Sequence, residues 1–403
     1  MNLKTLIRQL KTSPWLAPFL AAIDTVLWLS DWVAILSTPH RPRPETLLIL
    51  RLDVFGDYLM FRGFLEQIRQ SPTYSGHRII YCGNAAVRSV AETFDSAFVD
   101  EFIWTDIYAL STNLQYRFRF VQQLRRLGVE TVFCPTYSRV LVLDDFLAWA
   151  SGATQRIGCR TDYVNIKRWE AALGDRLYTR LIDSGPGLLF EHERNRRIVE
   201  EFLQKPVRQY AIQLNPALAA EVPLPQPYIV LSLGAGQEFR VWSAERFASV
   251  AYQLQREYPN HAVVLTGSPS EQVYADQFKR TNPLPEPTID LTGQLSIPQL
   301  AYVLSRASLL ISNETGTVHL AAATQTPTVV ISQGKSLIRW HPYPPELATH
   351  IVHVYPPEVE ANRHRLEQIA PDLNPESPYQ IATISTDRVY QSAANMLQAT
   401  GVR

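Results

Sequence analysis

Cysteine is scarce: Cys82, Cys134 and Cys159 are the only three in 403 residues, an odd number without metal-ligand spacing. That excludes a disulfide framework and predicts reduced core thiols in a cytoplasmic protein. Excess charge of one sign is absent too, with 38 Lys plus Arg against 38 Asp plus Glu. A nucleic-acid partner, which needs a strongly basic face, is therefore not expected. Internal repeats and low-complexity runs are missing. His192 stands between Glu191 and Glu193 but has no second histidine at helical spacing, so it reads as part of a solvated helix start rather than a metal ligand. A long unbroken apolar run is lacking as well. The best candidate, Trp15 to Leu36, is interrupted by Asp24 and Asp31, each costing about 2.5 to 3.5 kcal/mol near a bilayer centre. A spanning helix is thereby excluded, and without a small-residue cleavage site a secretory signal is a poor reading.

What the chain does have is 46% apolar and 19% charged residues, enough length for two cores, and proline-rich connectors. Residues 1–45 stand apart. Lys4, Arg8 and Lys11 precede the apolar segment, and its two aspartates, seven apart, share one helix face. Residues 13–36 suit either an amphipathic helix at a membrane interface, with tryptophans at headgroup level, or a helix packed on the protein's own surface or in a dimer. After it come a domain over 46–205, a linker over 206–227 containing five prolines, and a domain over 228–403 with a closing C-terminal helix.

The first domain opens with Leu-Leu-Ile-Leu-Arg-Leu, a central parallel strand, and then Asp53-Val-Phe-Gly56-Asp57. A helix over Tyr58 to Arg69 is expected next, with Gly56 permitting the turn and Asp57 at the helix start. That aspartate is either a general base at the sheet's carboxyl edge or a simple cap. Further strands are predicted at Arg78 to Cys82, Phe98 to Trp104 and Glu130 to Cys134, with a less regular chain after Gly158 and a helix from Glu191 to Leu203.

The second domain restarts in the same way, with a strand from Tyr228 to Leu233, Gly234-Ala-Gly236, and a helix capped by Ser243. A nicotinamide fingerprint would need a third glycine; this loop carries Arg240 and Trp242 instead, and Arg240 suits a phosphate. The most informative stretch is Ile311-Ser-Asn-Glu-Thr-Gly-Thr-Val-His319, which follows a short apolar strand and opens a small-residue helix. A polar turn there sits at the positive end of a helix dipole, where a phosphate binds. The plain alternative is that Ser312 or Asn313 caps an ordinary helix and His319 is a core histidine.

The motifs LILRLDVFGDYL (48 to 59), HERN (192 to 195), GAGQEFRVWSAERFA (234 to 248), VVLTGSPSEQ (263 to 272) and LLISNETGTVHLAAATQTPTVV (309 to 330) together resemble glycosyltransferase family 9, the heptosyltransferase-like enzymes. The resemblance implies an α/β GT-B fold, two Rossmann-like doubly wound domains facing a cleft. It implies inverting, metal-independent transfer of a heptose or related sugar from a nucleotide-sugar donor to a glycan or glycolipid acceptor in envelope biosynthesis. By this resemblance Asp57 is the base, with Asp53 and Gly56 on the acceptor-side loop. Thr315, Gly316, Thr317 and His319 then form the turn that holds the donor diphosphate, with Arg240 near the phosphates, Glu314 among the donor-binding residues and Glu271 near the ribose. Glu314 and Arg240 replace the aspartate and lysine usual in such enzymes, and Asp53-Val54 replaces serines. The alternative reading is a catalytically degenerate GT-B scaffold.

Overall fold

Apolar runs with no alternation fold here as strands covered on both faces, the pattern that parallel sheets demand. The computed structural model describes residues 17–207, 212–281, 288–373 and 377–399, so Lys4, Arg8, Lys11 and Trp15 lie outside the described residues. The first sheet comprises β1 (Arg43–Arg51), β2 (Arg78–Asn84), β3 (Glu101–Thr105), β4 (Val129–Cys134), β5 (Gln155–Cys159) and β6 (Arg180–Ile182). Its order is β3-β2-β1-β4-β5-β6. The second comprises β7 (Tyr228–Ser232), β8 (Ala262–Thr266), β9 (Thr288–Asp290), β10 (Leu309–Asn313), β11 (Thr328–Ile331) and β12 (Ile351–Val354), ordered β12-β11-β10-β7-β8-β9. Every strand pair is parallel.

Both sheets therefore reverse direction of growth once, between β1 and β4 and between β7 and β10. Doubly wound sheets bind ligands at the carboxyl ends of the strands flanking such a point. The loops after β1 and after β10 carry Asp53 and Glu314 respectively. One apolar cluster runs continuously from Leu47, Ile49 and Phe64 of the first lobe to Val230, Ala301 and Ala321 of the second. The connecting segment is strapped to both, since Arg62 Nη1 donates to Gln213 O at 2.9 Å and Leu214 N to Ala323 O at 3.0 Å. The C-terminal helix buries Val389, Ala393 and Leu397 against Phe247 and Leu254 of the second lobe. All three cysteines are buried and free.

Several expectations change. The stretch after Gly158 is more regular than its sequence suggests, holding the helix Arg168–Asp175 and β6. The helix expected from Tyr58 to Arg69 is two, Phe55–Phe61 and Gly63–Arg69. At the junction, buried Arg62 turns inward and binds Asp95 through Nε at 3.1 Å and Nη2 at 2.6 Å. The start of the helix Glu191–Leu203 is not solvated: Glu191, His192, Arg194 and Asn195 are all buried. Among the described residues no helix is long and apolar enough to cross a membrane.

The helix Ala17–Ser37 reverses an intuition about its aspartates. Asp31 is fully buried and paired with Arg117, while Leu27 and Ala34 pack inward beside it. Most of the residues left outside are apolar, Leu29, Val33 and Leu36 among them at 51%, 57% and 76% exposure, with Thr25 and Ser37 the exposed polar ones.

Candidate active site

Arg51, the last residue of β1, sets the first half of the site. Its guanidinium is buried over the Phe61 ring, donates to Asn195 Oδ1 at 3.1 Å and holds Asp53 at 2.7 Å. Asn195 also donates to Met60 O at 3.3 Å, so the helix Glu191–Leu203 braces the helix Phe55–Phe61 from behind. Tyr58 contributes a second brace through its hydroxyl, 2.6 Å from Asp95. Asp57 stands half-buried in the first turn of that braced helix, where the N-terminal dipole favours an anion. Burial pushes its carboxyl well above the usual range, and the neighbouring Asp53 and Glu191 carboxylates add to this, while Arg51 and Arg339 pull it back.

Gly56 does not serve the turn that its sequence position suggests, because it lies inside a regular helix. Its bareness is needed across the cleft: a Cβ would stand 2.9 Å from His319 Cδ2. Gly316 answers it from the other lobe, where a Cβ would stand 2.6 Å from Phe55 Cδ1. Two glycines thus let two helix N-termini, Phe55–Phe61 and Gly316–Thr324, meet face to face. Asp57 and the 315–319 turn are brought together by this contact.

Neither Ser312 nor Asn313 caps the second helix. Asn313 is spent on the sheet's switch point, accepting from Trp242 N at 3.0 Å and donating to Leu233 O at 2.7 Å. Thr315 is the cap and accepts from Thr317 N at 3.2 Å. Glu314 turns aside to His341 Nε2 at 3.1 Å and Ser332, with Arg240 Nη1 at 3.8 Å. Burial opposes its ionisation, yet His341, Arg240 and Ser332 bring it down to about 2. Burial holds His319 at about 4, so its imidazole is neutral near pH 7, bonded through Nδ1 to Tyr343 Oη at 2.6 Å. Arg240 is 26% exposed with a buried Nε that has no partner, a guanidinium with capacity left for a ligand. Glu271 lies apart from this group: Ser268 N donates to it at 2.6 Å, and its carboxylate lies over Gly234, where no Cβ fits.

Sequence reasoning passed over three residues here. Arg339 crosses from the second lobe into the first, where Nε meets Glu191 Oε2 at 2.9 Å, Nη1 meets Asp162 Oδ2 at 3.1 Å and Nη2 meets Ser138 Oγ at 3.0 Å. Glu191 adjoins the HERN motif and its charged neighbours suggest a solvated helix start, yet it is buried. His341 completes the Glu314 pair from the loop between β11 and β12, where no sequence motif marks it. Among the described residues no group of three or more His, Cys, Asp or Glu could hold a metal ion.

Two doubly wound lobes with facing carboxyl edges define the GT-B class. The sequence pattern of glycosyltransferase family 9 (heptosyltransferase) matches residues 137–369, more than half of the chain, and the chain belongs to that family. Lipopolysaccharide heptosyltransferase 3 of Escherichia coli is 28% identical over 123 residues, 29% of this chain and 34% of that protein. The match thus spans about a third of the curated relative. Among solved structures, a glycosyl transferase family 9 protein from Veillonella parvula DSM 2008 aligns with a TM-score of 0.69 at 17% identity, covering 90% of this chain and 99% of that one. The E. coli ADP-heptose lps heptosyltransferase II aligns at 0.62 with 15% identity, covering 89% and 100%. At these identities the structures speak for the fold.

Proposed function

We propose that the protein transfers a heptose or closely related sugar, with inversion, from an ADP-linked donor to a glycan or lipid-linked glycan of the lipopolysaccharide type. The family assignment supports the sugar transfer, and the names of the heptosyltransferase relatives suggest the donor and pathway. The observation that carries the reading is the pairing of Asp57, a carboxyl made more basic by burial, with the N-terminus of the helix Gly316–Thr324 across the cleft. An acceptor hydroxyl gives its proton to Asp57 as its oxygen attacks the anomeric carbon from the face opposite the diphosphate. The bond from that carbon to the diphosphate oxygen breaks, and the leaving charge is met by the helix dipole and Arg240. A cation and a dipole fixed in place suit transfer without a metal ion.

The exposed aliphatic face of the helix Ala17–Ser37 suits contact with the cytoplasmic surface of a membrane, where a lipid-linked acceptor is found. Asp57→Asn tests the mechanism. Val54, not Asp57, is the N-cap of that helix, and the substitution keeps the side chain's shape but removes the proton acceptor, so turnover of ADP-heptose should fall by about 10²- to 10⁴-fold. ADP affinity should stay within a few fold, as the donor rests on the other lobe. Near-normal turnover by a folded Asn variant would rule Asp57 out as the base.

A further inference from the structure

Beside the cleft, the segment from Tyr163 to Arg176 displays large apolar side chains that sugar transfer does not use. Tyr163, Val164, Trp169 and Leu173 are 54%, 70%, 57% and 42% exposed. The loop that carries the first two is pinned. Asp162 accepts from Ser138 Oγ at 2.6 Å and from Val164 N at 3.0 Å, and Asn165 donates to Ser138 O at 2.9 Å. Tyr163 is held at a φ of 61°, a region that bulky residues rarely enter, so its outward projection is imposed by the fold. Asp162 is also the residue that grips Arg339, so the apolar display begins at the cleft's rim.

Charge surrounds these side chains. Lys167, Arg168 and Arg176 are exposed, and among the described residues none has a carboxylate within ion-pair distance. The nearby acids are engaged elsewhere, Glu170 with Lys167 N at 2.6 Å and Asp175 with Arg139. Underneath, Ile166 and Ala171 share one apolar cluster with Trp28 of the helix Ala17–Ser37, so the two exposed apolar faces are neighbours. Arg168 lies over the Tyr163 ring at 5.7 Å, and aromatics ringed by basic groups that lack carboxylate partners match the headgroup zone of an anionic bilayer.

We propose that residues 163–176 form a second membrane-contacting element, which seats the rim of the cleft on an anionic phospholipid surface so that the acceptor enters lipid-anchored. This rests on the transfer reading above and names where its acceptor arrives. The test is co-sedimentation of the full-length chain with phosphatidylcholine vesicles, with and without phosphatidylglycerol. Tyr163→Ser, Val164→Ser, Trp169→Ser and Leu173→Ser together should lower partitioning by at least about tenfold. A second variant, Lys167→Gln with Arg168→Gln and Arg176→Gln, should lower partitioning onto the anionic vesicles by about 100-fold, at about fivefold per charge. Both variants should melt as the unaltered chain does and bind ADP as tightly by calorimetry. Unchanged partitioning in either folded variant, or an unaltered chain that ignores the anionic vesicles, overturns the proposal. ADP calorimetry on the unaltered chain is separate from the vesicle readout, and its failure would count against the transfer reading alone.

Discussion

Removing Asp31 asks which face of the N-terminal helix the protein keeps for itself. Asp31 and Arg117 are both fully buried, joined by Nε to Oδ1 at 2.8 Å and Nη2 to Oδ2 at 2.6 Å. In Asp31→Ala the guanidinium retains only the carbonyls of Leu110, at 3.3 Å, and Val142, at 2.7 Å. A buried cation stripped of its counter-charge costs about 3 to 5 kcal/mol, a large share of the roughly 5 to 15 kcal/mol that holds a domain folded. Urea unfolding of the full chain, followed by tryptophan fluorescence, should show that loss. The paired variant Asp31→Leu with Arg117→Met should recover most of it, because well-packed apolar residues replace buried ion pairs at little or no cost. A single-variant loss below about 1 kcal/mol, the range of exposed pairs, would refute the buried orientation and with it the outward aliphatic face.

Arg240→Ala should weaken ADP binding by roughly 10- to 150-fold, the equivalent of one charge-assisted contact at about 1.5 to 3 kcal/mol, read by calorimetry. Gly56→Ala puts a methyl 2.9 Å from His319 Cδ2, and His319 is held by Tyr343, so the lobes must part. Turnover should fall by roughly 10- to 100-fold through misplacement of the reacting groups, while thermal melting shifts little. His192 is buried against the Phe64 ring at 5.0 Å and held at about 4 by burial, below its ordinary 6.5. Between those values the unfolded chain binds the extra proton, so stability is lost as pH falls from 6.5 toward 4. Unfolding free energies from urea titrations at pH 7 and pH 5 should differ by roughly 2 kcal/mol for this residue, and His192→Gln should flatten that difference.

Strands such as β1 and β10 were legible because a run of apolar residues with no alternation has few other uses in a chain of this size. Strands of three to five residues flanked by charge, β5 and β6 above all, carry too little pattern to announce themselves. The stretch from Glu191 to Arg194 misled for a different reason. Its residues look solvated, and what buries them comes from far along the chain: the Arg339 guanidinium for Glu191, the Phe64 ring for His192 and the Tyr137 ring, 3.7 Å away, for Arg194. The roles of Gly56 and Gly316 were hidden likewise, since each glycine is required by a side chain of the opposite lobe.

Arg339 bears directly on the chemistry, through the way charge is shared around Asp57. Two cations face that carboxylate, which on a simple count should hold it ionised and weakly basic. Each is already committed. Arg51 lies 2.7 Å from Asp53, and Arg339 lies 2.9 Å from Glu191 with Asp162 on its other nitrogen. The committed carboxylates repel Asp57 while their partners attract it, so the two pairs largely cancel and burial decides the outcome, leaving Asp57 raised. Glu191→Gln keeps an oxygen for Arg339 but deletes one repelling charge, so Asp57 should become less basic and the acid limb of the pH–rate profile should move to lower pH. A limb that stays in place or moves upward would show that Asp57 does not feel the Glu191 charge.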